Sequence, residues 1–434
     1  MIRRALYFYA GWLVLIVGVG VVMGLPFTVR LCVEAMAYAL IALGLNIQWG
    51  YAGLFNFGVM GFIMVGGFAV TSMAAPLNVE FWQSQGPFML FKAILAAAAG
   101  AAAIIAANRL KRSHLTGRLG ATLQVAAWIF AYALYRSQLD PAAKYIEANY
   151  EWVGGLGLPV IFGWILAGVL AAGIAYIVGK ICLGLRTDYL AIATIGISEI
   201  IRALIKNMDW LTRGTLTVSP LPWPVPLPQD YQAWGVDTYE SFIFARSGYL
   251  VVVALVVIGV LFLVQRAYQG PWGRMMRAIR ENYIAAEAMG KDVRARQLEL
   301  FVLGSILMGI GGAMLVTFSQ ILDPSGYQPI NHTFLVWVMV IVGGAGNNWG
   351  AVLGVFLIYF IWILSDPLAQ LLFINLSNWT EHIGWGAIPE IDSRALQMRV
   401  FVLGVVISIA LRYAPQGLIP EVINRHHDPE KAAR

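Results

Sequence analysis

Charge is what this sequence has least of. Only 12% of its 434 residues are Asp, Glu, Lys or Arg, against roughly a quarter in soluble domains. The stretches 5–29, 35–79, 152–179, 247–265, 300–322 and 324–365 contain none at all. Such a chain cannot cover a water-facing surface, which excludes a soluble globular protein. About 20 apolar residues cross a bilayer as helix, so 35–79 and 324–365 each hold two passes. Cysteine is nearly absent. Cys32 and Cys182 lie far apart, which rules out a disulfide framework or a thiolate metal site. The five histidines (His114, His332, His382, His426 and His427) have no ligand spacing, so no metal is expected. No paired carboxylates or nucleophile triad marks an enzyme, and no cofactor is implied. No Gly-x-x-x-x-Gly-Lys-Ser/Thr occurs, and no Lys precedes Ser or Thr, so the chain has no phosphate-cradling loop of its own.

What the chain has instead is 59% apolar residues and a small basic excess, net +6. Cytoplasmic loops of membrane proteins collect Lys and Arg, so this excess does not indicate a nucleic-acid partner. The fold expected is an all-α, polytopic transmembrane helix bundle of about 10–12 spans. The spans fall near 5–27, 31–49, 52–75, 88–107, 119–138, 157–180, 188–206, 247–266, 297–321, 332–346, 350–365 and 399–413. Arg3 and Arg4 precede a long apolar run with no small-residue cleavage site, which reads as an uncleaved first span. Placing both termini inside gathers Arg109, Lys111, Arg186, Arg277, Arg280, Lys291 and Arg294 on the cytoplasmic side. The outer side then receives about half as many basic residues. Residues 1–434 form a single transmembrane domain, with outer loops at 207–246 and 366–398 and a long inner loop at 267–296. The first outer loop carries Pro220, Pro222, Pro224, Pro226 and Pro228, which favour extended chain over helix. The second holds Trp379, Trp385, Glu381, Glu390 and Asp392. Each is an interfacial loop or a landing surface for another protein.

Two stretches are interrupted by glycine, one from Gly50 and Gly53 to Gly66 and Gly67, the other from Gly343, Gly344 and Gly346 to Gly354. Broken or re-entrant helices of this kind line transporter pathways, although glycine also serves close helix packing. Asn46, Gln48 and Asn56 flank the first break, where their amides either satisfy freed backbone groups or meet a solute. Asn347 and Asn348 read as a turn. Glu199 and Arg202 lie one turn apart on the 188–206 span with Thr194 nearby. Intramembrane charge is costly, so the pair either faces a pathway or neutralises itself within the bundle. Glu34 reads as interfacial. In the inner loop, Met276, Ile279, Tyr283 and Ala286 recur at helical spacing, which predicts one short amphipathic helix ended by Gly290. Such a helix rests on lipid or docks in a partner's groove.

Several blocks resemble, in order, the branched-chain amino-acid permeases of ATP-binding-cassette importers, the LivH/LivM type. They are Ala42-Leu-Gly-Leu-Asn46 with Gly50-Tyr-Ala-Gly-Leu54, Arg186-Thr-Asp-Tyr-Leu-Ala-Ile192 with Glu199-Ile-Ile-Arg202, and Ala278-Ile-Arg-Glu281 with Ala285-Ala-Glu-Ala-Met-Gly290. Phe301-Val-Leu-Gly304, Gly343-Gly-Ala-Gly346 and Pro415-Gln-Gly-Leu418 continue the series. The general importer loop carries Glu-Ala-Ala before its Gly, whereas Ile284, Ala285 and Ala286 stand here. The 88–140 region and the first span are covered less clearly. The resemblance implies a permease subunit of the bacterial inner membrane, with cytoplasmic ATPase subunits, a second LivH-like permease and a periplasmic solute-binding protein as partners. It implies ATPase coupling through Ile279, Tyr283, Ala285, Ala286, Glu287 and Gly290, with Asn46, Asn56, Thr194, Glu199 and Arg202 as pathway candidates. A permease for urea or short amides, and a stand-alone ion-coupled transporter, are the alternatives.

Overall fold

The structure is a computed structural model describing residues 2–113, 118–384, 386 and 389–421. It opens with α1 (Ile2–Met23) and α2 (Leu25–Leu45), the latter running into a π-helical turn (Asn46–Tyr51). Next come α3 (Val59–Ala74), α4 (Val79–Trp82), α5 (Gly86–Ser113), α6 (Arg118–Tyr150), α7 (Val160–Cys182) and α8 (Thr187–Lys206). Two short turns, α9 (Asp209–Thr212) and α10 (Pro228–Ala233), precede α11 (Thr238–Gln269), α12 (Pro271–Glu281) and α13 (Tyr283–Ala288). After α14 (Val293–Ser319), a second π turn (Ile330–Phe334) leads into α15 (Leu335–Gly343), then α16 (Asn348–His382) and α17 (Ile391–Tyr413). No β-strand forms among the described residues. Among the described residues, seven helices are long and apolar enough to cross a membrane, and three shorter apolar helices accompany them. Together with α6 and α8 these occupy all twelve expected spans.

The core is built around α14, which packs against α2, α3 and α7. Its glycines explain how three helices approach one. A methyl group at Gly309 would stand 2.7 Å from the Ala171 Cβ and 2.9 Å from the Ala167 carbonyl oxygen. One at Gly304 would stand 2.5 Å from the Gly44 oxygen, and one at Gly312 would overlap the Ile63 backbone. Small residues at crossings are how helices associate where no water drives them together. α2 and α14 are buried on most of their faces, while α5, α11 and α17 expose most of theirs. The α5–α6 hairpin packs chiefly on itself, touching the remainder through α4 and α9.

Three loop expectations change. The segment 366–398 is helical through His382 and again from Ile391, so most of the loop expected there is helix. Asp366, which ends the charge-free run, is paired with Arg399 of α17, whose guanidinium also lies 5.1 Å from the Trp362 ring centre. Charge is costly within an apolar bundle, and pairing with Arg399 lets Asp366 lie inside the helix rather than at its end. Trp385 lies outside the described residues. Segment 207–246 is extended mainly over the proline-rich 213–227, where Val218 and Leu322 exchange backbone hydrogen bonds of 3.0 Å. The single helix expected in 267–296 is two, because Asn282 (φ −153°, ψ 94°) breaks it and caps α13 by accepting from the Ala285 N–H at 3.0 Å. Asn side chains compete with the backbone in this way at helix starts. Gly290 ends α13 with φ +77°, the left-handed conformation that glycine adopts without strain.

Candidate pathway and coupling site

The two glycine-interrupted stretches meet at the bundle centre. The π turn after α2 lets the chain leave the helix axis, and 52–58 run without helix before α3. Every exposed amide that results needs a partner where water is absent. Asn46 supplies two bonds, accepting from the Gly346 N–H at 2.8 Å and donating to the Asn348 Oδ1 at 3.0 Å. The Tyr51 hydroxyl donates to the same oxygen at 2.5 Å, and the Asn348 amide donates to Gln265 at 2.9 Å. Gln48 donates to the Phe301 carbonyl (2.7 Å) and to Ser305 (3.0 Å) while accepting from Asn56 at 2.8 Å. Asn56 Oδ1 in turn accepts from the Gly58 N–H at 2.8 Å. Gly50 itself has no room for a side chain: a methyl would lie 2.5 Å from the Gly346 nitrogen. Above this mesh Trp337 stacks on Phe57 (centroids 4.5 Å) and donates its indole N–H to the Asn56 carbonyl at 3.0 Å.

The 267–296 segment is tied into this break. Arg280, near the end of α12, donates to the Gly50 carbonyl and forms an ion pair of 2.6 Å with Glu421. The Tyr268 hydroxyl donates to Glu421 as well, and the Tyr268 ring lies stacked 4.0 Å from that of Tyr51. Glu421 is delivered by the tail after α17, where the N–H groups of Leu418 and Ile419 bond the carbonyls of Val342 and Gly343. Gln265, Tyr268, Arg277, Asn348 and Glu421 line a cavity of about 300 Å³ beside the pair. One guanidinium thus joins α12 to the backbone of the first break.

The sequence candidates divide. Asn46 and Asn56 are enclosed in the mesh, fully buried. Thr194 is buried too, accepting from the Phe57 N–H at 3.0 Å, which pins α8 to the break. Glu199 and Arg202 form a half-buried ion pair of 2.8 Å on α8, and Arg202 also donates to the Tyr327 carbonyl at 3.2 Å. In the 267–296 segment Ile279 and Ala286 face the protein body and are buried, whereas Tyr283, Ala285, Glu287 and Gly290 are exposed. Ala286 is thus an internal packing residue; beside the four exposed candidates stand Ile284 and Met289, both unburied apolar side chains. Arg280, Glu421, Tyr268, Gln265 and Tyr51 escape a reading by local spacing. Arg280 and Glu421 are 141 positions apart, and no periodicity joins them.

A bundle of apolar helices, two of them broken and re-satisfied by buried amides, with a two-helix segment levered onto one break, defines a membrane transport subunit. The chain belongs to the permease family described as "Branched-chain amino acid transport system / permease component", whose family model matches residues 27–143 and 119–411. The two matches overlap across α6, in the hairpin that stands apart from the core. The chain is similar to the probable branched-chain amino acid transport permease protein LivM of Methanocaldococcus jannaschii, 25% identical over 388 residues, 88% of this chain and 90% of that one. It is also similar to the LivM protein of the high-affinity branched-chain amino acid transport system of Escherichia coli, 29% identical over 267 residues, 59% of this chain and 56% of its relative. The probable LivH permease of M. jannaschii is 27% identical over 205 residues, 47% of this chain and 60% of that one. No solved structure matches the chain.

Proposed function

We propose that this chain is a membrane permease subunit of an ATP-binding-cassette importer for branched-chain amino acids. It works in the bacterial inner membrane with a LivH-like permease, cytoplasmic ATPase subunits and a periplasmic solute-binding protein. Both termini and the 267–296 segment face the cytoplasm, on the strength of the basic residues gathered there. The C-terminal residues 422–434 lie outside the described residues. ATP is hydrolysed on the partner chains. Nothing in this sequence cradles a nucleotide phosphate.

The observation that carries the proposal is the Arg280 tie from α12 to the Gly50 carbonyl, within a chain of this family. An ATPase that displaces α12 and α13 acts through Arg280 on the break where the two glycine-interrupted stretches meet. The exposed edge made by Tyr283, Ile284, Ala285, Glu287, Met289 and Gly290 is the surface on which that ATPase docks. The solute passes beside α8, where the Glu199–Arg202 pair remains half-exposed and the opposite face of the helix is packed on α3. Reconstitution of the chain with its partner subunits in liposomes tests this. ATP-dependent uptake of leucine, isoleucine or valine is the expected result. Uphill uptake by the chain alone on a proton or sodium gradient would overturn it in favour of a secondary transporter. ATP-driven uptake of urea or short amides, with none of branched-chain amino acids, would overturn the substrate assignment alone.

A further inference from the structure

A second cavity, of about 260 Å³, lies in the half of the bundle away from the basic segment, between α2, α3, α14, α16 and the loop 320–329. Its lining is mixed. The carboxylates of Glu34 and Asp323 and the hydroxyls of Tyr38 and Tyr327 supply polar atoms. Ile63, Leu315, Val316 and Ile321 form an apolar wall. Sites that hold drug-sized ligands run from about 300 Å³ upward, so this one suits a smaller solute.

The polar atoms are incompletely used. Glu34 accepts from Arg30 Nε at 3.1 Å and from the Tyr359 hydroxyl at 2.7 Å, one bond per oxygen. Asp323 accepts from the Ser325 N–H at 2.8 Å on one oxygen. A carboxylate offers about four lone-pair positions, so both retain capacity for further donors. Tyr38 and Tyr327 are only 8% and 7% exposed, and neither hydroxyl is hydrogen-bonded within the described residues. Both rings line the same cavity, and a phenol O–H without a partner in the chain is free to donate to an acceptor bound there. Tyr327 is held by His332, whose ring stacks on it at 4.9 Å and is itself anchored through Nδ1 to the Gln328 carbonyl at 3.2 Å. The Tyr327 carbonyl accepts from Arg202 at 3.2 Å, so the cavity wall adjoins the charged pair of α8.

Acceptors for an ammonium, spare hydroxyl donors for a carboxylate and an aliphatic wall are what a zwitterion with a branched side chain requires. We infer that this cavity is a binding station for one free aliphatic α-amino acid on its way through the permease. Asp323 and Glu34 take the ammonium, Tyr38 and Tyr327 donate to the carboxylate, and the Ile63–Val316 wall covers the side chain. The inference rests on the assignment of the chain to a branched-chain amino acid importer. It goes beyond that assignment by placing a solute site within the permease itself.

The test uses the assembled transporter in lipid nanodiscs, without the solute-binding protein, and measures equilibrium binding of radiolabelled L-leucine. Leucine should bind, and 4-methylpentanoate and isoamylamine, which lack the amine or the carboxylate, should compete at least tenfold more weakly. Asp323→Asn and the double variant Tyr38→Phe, Tyr327→Phe should each weaken binding tenfold or more, and Val316→Trp should abolish it. Recovery of the assembled complex on gel filtration shows that each variant is folded, and the Tyr→Phe changes keep every ring contact. Two results overturn the station while leaving the importer assignment standing: no leucine binding by a wild-type complex that drives ATP-dependent leucine uptake once the binding protein is added, or binding that all three variants leave unchanged. Absence of ATP-dependent uptake of any branched-chain amino acid by the complete system removes the assignment, and the station falls with it. Equal competition by isoamylamine would show a cation site and would also overturn the zwitterion station.

Discussion

The two glycine-interrupted stretches, which carry no charge, and the α5–α6 hairpin, which carries Lys92, Arg109, Arg136, Asp140 and Lys144, are opposite in construction. The first pair abandons regular α-helix at 46–58, at 330–334 and at 344–347, at the centre of the bundle. The hairpin keeps unbroken helix over 28 and 33 residues and turns side chains such as Phe88, Ile94, Trp128 and Ile129 outward. The difference lies in who satisfies the backbone. At the centre, Asn46, Gln48, Asn56 and Asn348 stand in for lost helical hydrogen bonds. On an apolar exterior no such partner exists, and helix is the only conformation that satisfies its own amides. Irregular chain therefore marks the region where position is fixed by side chains, which is the region able to change position when a partner pulls.

The contrast is broken most forcefully at the glycine crossings. Gly309→Val would push a branched side chain into Ala167 and Ala171 of α7. Overpacking costs about 1–3 kcal/mol where side chains can yield, and more where the obstacle is backbone. Loss of nearly all folded protein in membrane extracts is expected. Ile129→Ala, on the exposed side of the hairpin, should change thermal stability by no more than about 0.5 kcal/mol. Equal recovery of the two variants would dissolve the distinction between core and hairpin.

The Arg280 tie comes next in size. Arg280→Ala leaves the Glu421 carboxylate and the Gly50 carbonyl without the guanidinium, in a pair whose side chains are 21% and 11% exposed. The penalty falls below the roughly 3–5 kcal/mol of a fully buried pair, because Tyr268 still donates to Glu421. Assembly should survive, and ATP-driven uptake should drop at least tenfold. Adding Glu421→Ala to Arg280→Ala should restore stability but not uptake. Full uptake by Arg280→Ala in an assembled complex would remove the lever from α12 to the break.

Much of this architecture can be read from the sequence, and the parts that cannot share one cause. Helix positions are local properties of apolar runs, and all twelve expected spans coincide with helices. Gly290 as a left-handed cap is legible for the same reason. Contacts between distant residues are not. Asn348 reads as a turn residue, yet it anchors two buried side chains from the first break. Arg280 reads as a solvent-facing charge, because its partner Glu421 arrives from the far end of the chain. Asp366 reads as the end of a span because Arg399 cannot be paired with it from spacing alone. Ala286 reads as a docking residue because spacing cannot tell whether the apolar face it shares with Met276 and Ile279 meets a partner or the body of the chain itself, and here all three are buried.

A smaller effect separates mesh from hairpin at the level of one hydrogen bond. Asn46→Ala strands the buried Gly346 N–H, while Asn348 keeps Tyr51 as its donor. An unsatisfied buried group costs about 1–3 kcal/mol, so the melting temperature of the purified protein should fall measurably. Gln124→Ala removes the Lys111 bond of 2.6 Å in the part-buried hairpin and should leave it almost unchanged. Matching shifts for the two would mean that the central amides are no more structural than peripheral ones.

The smallest stability effect, and the most specific one, lies on the exposed edge of α13. A methyl group at Gly290 meets nothing within 4 Å, so Gly290→Ala pays only for the left-handed backbone at φ +77°. That strain is about 1–2 kcal/mol, confined to the end of a six-residue helix. Met289, 80% exposed, contributes still less to folding, and Met289→Ser should leave the melting temperature unaltered. A docking edge behaves differently from a stabilising one, since apolar side chains that are idle in the free subunit become buried when a partner arrives. Co-purification of the ATPase should therefore fall in Met289→Ser and Ile284→Ser while the permease itself folds normally. Ala286→Trp, by contrast, should damage folding first, since Ala286 packs inward. If instead α12 and α13 rested on lipid, neutralising Arg274 and Arg277 would matter more than either serine change. Undiminished recovery of the ATPase with both serine variants would place the docking surface elsewhere on the basic end of the bundle.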